Sequence, residues 1–455
     1  MNSCVFVIPV IDRWLVHAPL HAVTALVNRT APAKLKEGPL PNQSNQLSEL
    51  ESVITSEPES VPRPREGELC PKFLGLIPTR ACNLSCVYCG FGADGAPRTT
   101  MDLPTAVASI DWMADHLQRI GKEKLEIHFF GGEPSVAWDV LVVAVHHARA
   151  VAARRGLMVR LQISTNGVFK EDKVRFIGDY FDSVVLSFDG TQDTHDRLRP
   201  MSQHEGSFEA VARTAASLSK SPVELCLRCC VTQDSVLHLQ EIANWFCDTF
   251  QPSVINFEPL QPTPATFAMG VQPPDPFDFA INYEHASRTL EKRGIRPVYA
   301  ANLTKAPRLS FCPVGKDALI VSPDGQISEC YLQTAEWRVR GLNLVCGQVE
   351  PQRGIRLDFQ AIQRMRFLVT EKPRCEHCFC KWSCAGGCHV NHSYPGCSES
   401  YDDFCIMTRI ITACSLLREL GYEYLVESLL NDRSALVALS LQKSDCIEDL
   451  EVAYD

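Results

Sequence analysis

The sequence predicts an α/β protein built around an open or partial barrel, and three observations carry this prediction. Apolar runs of strand length alternate with amphipathic helical runs from residue 72 to about residue 259, the pattern of successive βα units. Six such units occur. Beyond residue 300 the helical periodicity fades and cysteines concentrate. We therefore expect a barrel followed by a metal-bound region, with a small strand-rich unit at the N-terminus.

The elements of the predicted barrel follow one another along the chain. In folds of this type the active site gathers in the loops at the carboxyl ends of the strands. The predicted strands span residues 73–77, 125–130, 159–164, 183–187, 223–231 and 254–257. The predicted helices span residues 103–120, 136–155, 170–180, 208–220 and 237–250, and a helix over 276–293 closes the domain.

The first 70 residues are predicted to lie outside the barrel. Residues 1–30 contain two short apolar runs around a turn at Asp12 and Arg13, then a helical pattern over 21–28. The next segment is rich in Pro, Ser and Glu, as in flexible linkers, with one helical turn near 47–54. We assign residues 1–30 to a small strand and helix unit, 31–70 to a linker, 71–300 to the barrel and 301–410 to the cysteine-rich domain. Residues 411–455 form the C-terminal part. It contains the end of an apolar helical stretch over 404–441 and an acidic tail over 445–455.

The composition excludes several classes of protein. Apolar residues make up 45% of the chain and charged residues 22%, as in ordinary soluble globular proteins. The net charge of -10 repels a phosphate backbone, so we expect no nucleic-acid partner. The richest apolar stretch, residues 136–153, carries Asp139, two His and Arg149, so we expect no membrane span.

The N-terminus and the cysteine content predict a cytoplasmic protein. The first residues lack the basic region of a secretory signal, and Asp12 and Arg13 interrupt their short apolar run. The chain contains 21 Cys. In a reducing cytosol, clustered cysteines are more often metal ligands or catalytic groups than disulfides.

A cysteine triplet, Cys82-x3-Cys86-x2-Cys89, directly follows the first predicted strand. Three thiolates on one loop suit a soft metal centre, either zinc or an iron-sulfur cluster. A structural zinc site needs a fourth ligand nearby, and the residues around Cys89 offer none. Three ligands to a four-iron cluster leave one iron open for a substrate or cofactor. The spacing therefore favours a cluster over zinc.

A second constellation contains seven cysteines in the C-terminal half. Cys312-x12-Gly325-x4-Cys330 is followed by the run Cys375-x2-Cys378-x5-Cys384-x3-Cys388 and by Cys405. Such a pattern is typical of metal sites, and a pair of zinc ribbons has the same thiolate chemistry as iron-sulfur clusters. The spacing alone leaves both metals open.

The triplet, with Tyr88 just before its third cysteine, resembles the signature of radical S-adenosylmethionine (SAM) enzymes. The resemblance implies a partial (β/α)6 barrel and a [4Fe-4S] cluster on the catalytic cysteines Cys82, Cys86 and Cys89. The open iron of that cluster chelates SAM, and one electron releases a 5′-deoxyadenosyl radical. The motifs implied to contact SAM are Gly131-Gly132-Glu133-Pro134 at its amino group, Ser164 and Asn166 of Ser164-Thr165-Asn166-Gly167, and Ser187 and Asp189 of Ser187-Phe188-Asp189-Gly190 at its ribose and carboxylate.

Two further features follow the same strands. His195-Asp196-x2-Arg199 occurs as in the peptide-modifying branch of the family. Arg228, in the fifth strand, reaches either the SAM carboxylate or an acid of the sheet itself. Each motif alone is typical of a tight turn or a helix cap, and their order after successive strands favours SAM binding.

The seven later cysteines resemble the SPASM domain of radical SAM enzymes, which holds two auxiliary [4Fe-4S] clusters. The resemblance implies a three-cysteine set, Cys312, Cys330 and Cys388, and a four-cysteine set, Cys375, Cys378, Cys384 and Cys405. Some relatives carry an eighth cysteine at the position of Ala306. The first auxiliary cluster therefore lacks a fourth thiolate. Its fourth position either stays open for the peptide or is closed by Cys346, Cys380, Cys397 or another protein group.

The resemblance implies an enzyme that modifies a ribosomally made peptide. Its partners are a precursor peptide and a one-electron donor such as flavodoxin or ferredoxin. Sulfatase maturases carry an Asp base directly after the Cys of the Gly-x4-Cys element, where this chain has Tyr331. A crosslinking or epimerising role therefore fits better, and a sulfatase maturase and a non-catalytic multi-cluster electron carrier are the alternatives. Residues 1–30 either hold a leader peptide by strand addition or cover the barrel.

Overall fold

The computed structural model describes residues 5–37, 45–91, 99–201, 205–262, 264–332, 334–394 and 396–447. The strands are β1 (Phe6–Val10), β2 (Arg13–Ala18), β3 (Val23–Val27), β4 (Leu74–Leu76), β5 (Lys124–Phe129), β6 (Met158–Thr165), β7 (Ser183–Ser187), β8 (Glu224–Val231), β9 (Val254–Pro259), β10 (Arg296–Val298), β11 (Leu319–Val321), β12 (Gln326–Ser328), β13 (Val345–Glu350), β14 (Gly354–Leu357) and β15 (Asp445–Cys446). The helices are α1 (Ala31–Glu37), α2 (Asn45–Thr55), α3 (Leu103–Arg119), α4 (Trp138–Arg155), α5 (Glu171–Tyr180), α6 (Gln192–Leu198), α7 (Phe208–Leu218), α8 (Leu239–Phe250), α9 (Pro264–Ala268), α10 (Pro276–Lys292), α11 (Thr334–Arg338), α12 (Phe359–Leu368), α13 (Asp403–Glu419), α14 (Glu423–Leu430) and α15 (Arg433–Leu441).

Parallel strands form the barrel wall. β4 to β10 lie in chain order, and each is hydrogen-bonded to the next. The helices between them bury their apolar faces against this wall, as Ile110 and Met113 of α3 do. The partial barrel predicted from the sequence is confirmed, because all six predicted strands occur with ends within two residues of those expected.

The same sheet continues from the barrel into the cysteine-rich region. β11 pairs in parallel with β4, with Leu319 opposite Leu74 and Val321 opposite Leu76. β12, β13 and β14 then follow in antiparallel order. The sheet has eleven described strands in all. This continuity brings the chain that follows β12 beside the first strand of the barrel.

The N-terminal unit contains more strand than the sequence predicts. β1, β2 and β3 form an antiparallel sheet, and β15 adds to it beside β1. The predicted helix over 21–28 is wrong, because Val23–Val27 is β3, which pairs with Trp14–Ala18 of β2. Two helices, α1 and α2, lie within the predicted linker and pack Leu35 and Ile54 onto one face of this sheet.

Helices at the C-terminus cover the opposite side of the N-terminal sheet. The apolar stretch over 404–441 forms three helices, α13, α14 and α15, rather than one, and Asp432 caps the last of them. β1 contacts α15, and Phe6 and Ile8 belong to the main core. Of the predicted acidic tail, residues 445–447 are described and begin with β15, and residues 448–455 lie outside the described residues.

One helix has the length and composition of a membrane span. It comprises α4 with the turn before it, Pro134–Arg155. In the fold it connects β5 to β6, and its side chains Leu141, Val145 and Ala148 are fully buried in the main core. It is therefore a core helix of the barrel.

A buried ion pair ties the segment before β4 to the cysteine-rich region. Asp317 accepts hydrogen bonds from Nε and Nη2 of Arg366, at 2.7 and 2.6 Å, and from the backbone N–H of Cys70. Arg366 also donates to the carbonyl oxygens of Gly67 and Glu68. Both charged side chains are almost completely buried. Removing either partner leaves a buried charge without compensation.

We predict that Asp317→Ala destabilises the protein by about 3–5 kcal/mol, because Arg366 loses its buried counterion. Chemical denaturation of the anaerobically purified protein measures the free energy of unfolding. The control is Glu336→Ala, which removes a half-exposed carboxylate from Arg340 and costs at most about 1 kcal/mol. Equal denaturation midpoints for the two variants would contradict the prediction.

Candidate functional site

The triplet lies on the loop that follows β4, and one side of this loop runs along the loop that follows β5. The backbone N–H of Gly132 donates to the carbonyl of Thr79 at 3.0 Å, and that of Glu133 donates to Ala81 at 2.9 Å. A Cβ at Gly132 would collide with the carbonyl oxygens of Arg80 and Ala81. The close approach of the two loops therefore requires glycine at this position.

The other side of the triplet loop is held by the segment after α6. Leu84 and Met201 form an isolated antiparallel bridge, and the N–H of Val87 donates to the carbonyl of Leu198 at 3.0 Å. These backbone bonds fix the loop over the carboxyl ends of β4 to β7.

A buried carboxylate positions Asn166 beside the triplet. Glu133 is fully buried and accepts from the Asn166 N–H at 2.8 Å and from the Thr165 hydroxyl at 2.9 Å. Asn166 Nδ2 then donates to Asn83 Oδ1 at 2.8 Å and lies 3.6 Å from Cys82 Sγ. Burial raises the pKa of Glu133, and its hydrogen-bond donors oppose that shift. Glu133 thus fixes Asn166, and its expected contact with SAM stays a prediction.

Tyr88, Asp189 and Arg199 form a buried network under the triplet loop. The Tyr88 hydroxyl donates to Asp189 Oδ2, and Arg199 Nη1 donates to the Tyr88 oxygen at 2.5 Å. The other oxygen of Asp189 accepts from the N–H of Cys230 at 3.0 Å. Asp189 is fully buried. It therefore holds the aromatic ring next to Cys89, and its expected contact with the ribose stays a prediction.

His195 connects the two charged members of this network. Its Nδ1 accepts from the backbone N–H of Asp189 at 3.2 Å, and its Nε2 lies 3.0 Å from Ser207 Oγ. Ser207 Oγ donates to the carbonyl of Arg199 at 2.6 Å. Since that hydroxyl proton points at the carbonyl, Nε2 carries the imidazole proton and donates to Ser207.

The remaining predicted SAM contacts include Ser164, Ser187 and Arg228. Ser164 and Ser187 are half-buried, Arg228 is exposed, and the register places Arg228 opposite Ser187. Burial raises the pKa of Glu258 on β9, and the positive charge of Arg228 partly opposes this shift. Arg228 thus lies near Glu258, and its expected contact with the SAM carboxylate stays a prediction. Pro134 begins a short 3₁₀ turn after Glu133.

Tyr331 enters the barrel from the cysteine-rich region. Its ring lies 4.8 Å from the ring of Phe130, and its backbone carbonyl accepts from Arg80 Nη1 at 2.9 Å. The hydroxyl occupies the space that a side chain at Gly75 would fill, since a Cβ there would lie 2.7 Å from the Tyr331 oxygen. This oxygen is buried and has no hydrogen-bond partner among the described residues. The Tyr331 hydroxyl is therefore a buried polar group that the described residues leave unsatisfied.

The structure brings the seven later cysteines into two groups. Burial raises the pKa of Cys312 to about 12, and the neighbouring thiols Cys388 and Cys330 raise it further. Burial also raises the pKa of Cys384, and its neighbour Cys378 adds to the shift. Cys312 and Cys330 interact with Cys388, and Cys375 and Cys405 interact with Cys378 and Cys384. Cys378 also interacts with Cys380, which belongs to neither predicted set.

The donor chemistry fits iron-sulfur clusters. Arg409 Nη1 lies 3.3 Å from Cys378 Sγ, and Arg374 Nη1 lies 3.9 Å from Cys405 Sγ, so cations face the thiols and favour thiolates. Within the described ranges, no three His, Cys, Asp or Glu side chains converge on a position for a single metal ion.

Sequence reasoning missed the residues that position the site. Asn83, Thr165 and Ser207 act through hydrogen bonds to partners on other loops. Adjacency to Cys82 is the one sequence signal for Asn83, and Thr165 lies inside a recognised motif. Ser207 has no such signal, because its role depends on the packing of His195.

Residues 76–244 match the model of the radical SAM superfamily. The chain is 24% identical to the serine-type anaerobic sulfatase-maturating enzyme of Klebsiella aerogenes, over 68% of this chain and 78% of that protein. It is 22% identical to the cysteine-type anaerobic sulfatase-maturating enzyme of Clostridium perfringens, over 77% of this chain and 95% of that protein. The solved structure of native anSMEcpe with bound AdoMet and Cp18Cys peptide superposes with a TM-score of 0.60 at 18% identity, covering 80% of this chain and all of that one. At this identity the superposition shows the fold.

We predict that His195 makes the stability depend on acid pH. Burial lowers its pKa from 6.5 to about 4, so between these values the unfolded chain binds a proton that the folded chain does not. The contribution of neutral His195 to the free energy of unfolding is fully present above pH 6.5 and decreases as the pH falls towards 4. Between pH 7 and pH 5, wild-type protein should lose about 2 kcal/mol more than His195→Gln, measured by urea denaturation of the apoprotein. The control is His238→Gln, at an exposed histidine, which should behave as wild type. Identical pH profiles for wild type and His195→Gln would refute the prediction.

Proposed function

The chain carries a radical SAM domain and is homologous to anaerobic sulfatase-maturating enzymes, and from this premise we propose that it is a peptide maturase. The proposed reaction is reductive SAM cleavage followed by hydrogen abstraction from a residue of a ribosomally made peptide, which yields a crosslink or another modification. The observation that carries the proposal is the Tyr331 hydroxyl, which packs against Gly75 of β4, the strand that leads into the triplet loop, and has no hydrogen-bond partner among the described residues.

The bound cluster and SAM supply a 5′-deoxyadenosyl radical as the hydrogen-abstracting group. The protein supplies ligands and orientation. Cys82, Cys86 and Cys89 hold the cluster, and Asn166 with Asn83 fixes the first of these cysteines. Ser164 and Ser187 offer hydroxyls for the ribose. These pre-positioned groups reduce the entropic cost of aligning peptide and SAM.

Homology to sulfatase maturases favours a second candidate function, formylglycine formation on a sulfatase. The family resemblance implies a carboxylate base at the position of Tyr331. A phenol keeps its proton at neutral pH and accepts none there, unlike a carboxylate. A peptide modification that needs no base at this position therefore fits the chain better.

The N-terminal sheet offers an edge for a leader peptide. β3 lies at the end of the order β15-β1-β2-β3, and its outer edge pairs with no described strand. All five of its residues are partly exposed. An extended peptide adds to such an edge through backbone hydrogen bonds. We propose that β3 holds the leader while the core of the peptide enters the barrel.

The proposed reaction needs an electron donor and a reducing compartment. A flavodoxin or ferredoxin supplies the electron, and the reducing cytoplasm keeps the thiolates available for iron. The alternative of a non-catalytic electron carrier is disfavoured by the glycine loop and Asn166, which a carrier does not need beside its cluster.

We predict that the combined variant Cys82→Ala, Cys86→Ala, Cys89→Ala forms no 5′-deoxyadenosine. It should keep about eight of about twelve irons per chain, because only one of three four-iron clusters is removed. After anaerobic reconstitution, product analysis measures 5′-deoxyadenosine, and elemental analysis measures the iron content. Wild-type rates of 5′-deoxyadenosine formation in the variant, or zinc in place of iron in the wild type, would refute the assignment.

We predict that Tyr331→Phe leaves peptide-independent SAM cleavage unchanged and lowers product yield about tenfold, the effect of one lost hydrogen bond to the peptide. The ring packing on Phe130 is kept in this variant. The measurement is mass spectrometry of a candidate precursor peptide from a neighbouring reading frame. Tyr424→Phe, at an exposed position, is the control. Undiminished product from Tyr331→Phe would exclude the contact.

We predict that proline in β3 weakens peptide binding about tenfold, because it removes a backbone N–H donor. Successive N–H groups point to opposite edges of a strand, so one of Thr24→Pro and Ala25→Pro blocks the outer edge and the other disturbs pairing with β2. Fluorescence anisotropy with a labelled leader peptide measures the affinity. Ala25→Val keeps the N–H and should bind as wild type. Unchanged affinity for the leader peptide in both proline variants would exclude the outer edge of β3 as its binding site.

A further inference from the structure

The three-cysteine set lacks a fourth thiolate, and the structure narrows the groups that take its place. A four-iron cluster takes four protein ligands in its closed form. Ala306 is exposed and carries no donor. The charged or ionisable neighbours of Cys346 are Glu329, Asp358 and Asp317. Those of Cys380 include Cys378 of the four-cysteine set.

His389 follows Cys388 directly and has an unusual environment. Its side chain is 1% exposed, and neither Nδ1 nor Nε2 has a hydrogen-bond partner in the part of the chain described. Buried polar groups without partners are rare, because each costs the desolvation free energy of that group. His392, three residues later, differs: its Nδ1 lies 3.4 Å from Asp402, and its ring stacks on Phe404.

Two lysines lie near both His389 and the three-cysteine set. Lys316 and Lys372 both interact electrostatically with the His389 ring. The same two lysines interact with Cys312, and Lys372 interacts also with Cys375 and Cys384 of the four-cysteine set. Because His389 follows Cys388 directly, we assign it to the three-cysteine set. Two cations beside an unpartnered imidazole leave negative charge missing from the surroundings. An anionic cluster on Cys312, Cys330 and Cys388 supplies that charge and an iron for the imidazole.

We propose that His389 is the fourth ligand of the first auxiliary cluster, through a lone pair of its neutral imidazole. This inference rests on the cluster loading in the proposed function. A neutral ligand makes the cluster one unit less negative than four thiolates do, and the nearby cations act in the same direction. Net charge sets the reduction potential of such clusters, and histidine ligation raises it. The cluster is therefore closed to the peptide and serves as an electron acceptor.

The test uses the full-length chain with Cys82→Ala, Cys86→Ala and Cys89→Ala, which removes the triplet and retains the seven auxiliary cysteines. After anaerobic reconstitution and reduction, pulsed electron paramagnetic resonance measures nitrogen hyperfine coupling. Strong ¹⁴N coupling from a directly bound imidazole is expected, and ¹⁵N-histidine labelling should replace it. His389→Gln should abolish the coupling, and the control His392→Gln should keep it. His389→Cys should remove the coupling, keep the iron content and lower the cluster's reduction potential.

Two results would overturn the inference in distinguishable ways. If the parent holds about eight irons but shows no directly bound nitrogen, or keeps the coupling in His389→Gln, His389 is not the ligand. If the parent holds only about four irons, the three-cysteine cluster does not form, and its assignment fails together with the ligand.

Discussion

β4 is the strand on which the arrangement of the protein depends. It is three residues long, and it bonds to β5 on one side and to β11 on the other. Because it belongs to both the barrel and the cysteine-rich region, the two regions share one sheet and keep a fixed geometry. The triplet loop leaves its carboxyl end, and Tyr331 passes over Gly75 in its middle. The barrel, the proposed site cluster and the proposed auxiliary cluster are thus placed by the same backbone hydrogen bonds.

Buried carboxylates organise the loops around this strand. Glu133 and Asp189 are both fully buried, and each satisfies backbone N–H groups on a different strand end. A buried carboxylate is costly unless it is fully paired, so each one fixes the loops that pair with it. Cations have the complementary role beside the thiols, as Arg409 does at Cys378.

The barrel could be predicted from the sequence because its signals are local. Apolar runs and amphipathic patterns can be recognised from consecutive residues, and the cysteine spacings indicate the metal chemistry. The helix expected over 21–28 failed because β3 is stabilised by its pairing with β2, a contact that no local pattern records. The hydrogen bonds of Asp189 to Tyr88 and Cys230 could not be predicted from the sequence. Such partners come from other strands, so only the assembled sheet reveals them.

The central claim is that the barrel directs radical chemistry onto a peptide. Deuterium transfer tests it most directly. A candidate precursor peptide from a neighbouring reading frame, deuterated at the carbon positions of its core residues, is incubated with the reconstituted enzyme, SAM and a reductant. Mass spectrometry then measures the 5′-deoxyadenosine. The account predicts that this product gains deuterium in step with peptide modification. Modified peptide accompanied by 5′-deoxyadenosine without deuterium would contradict it.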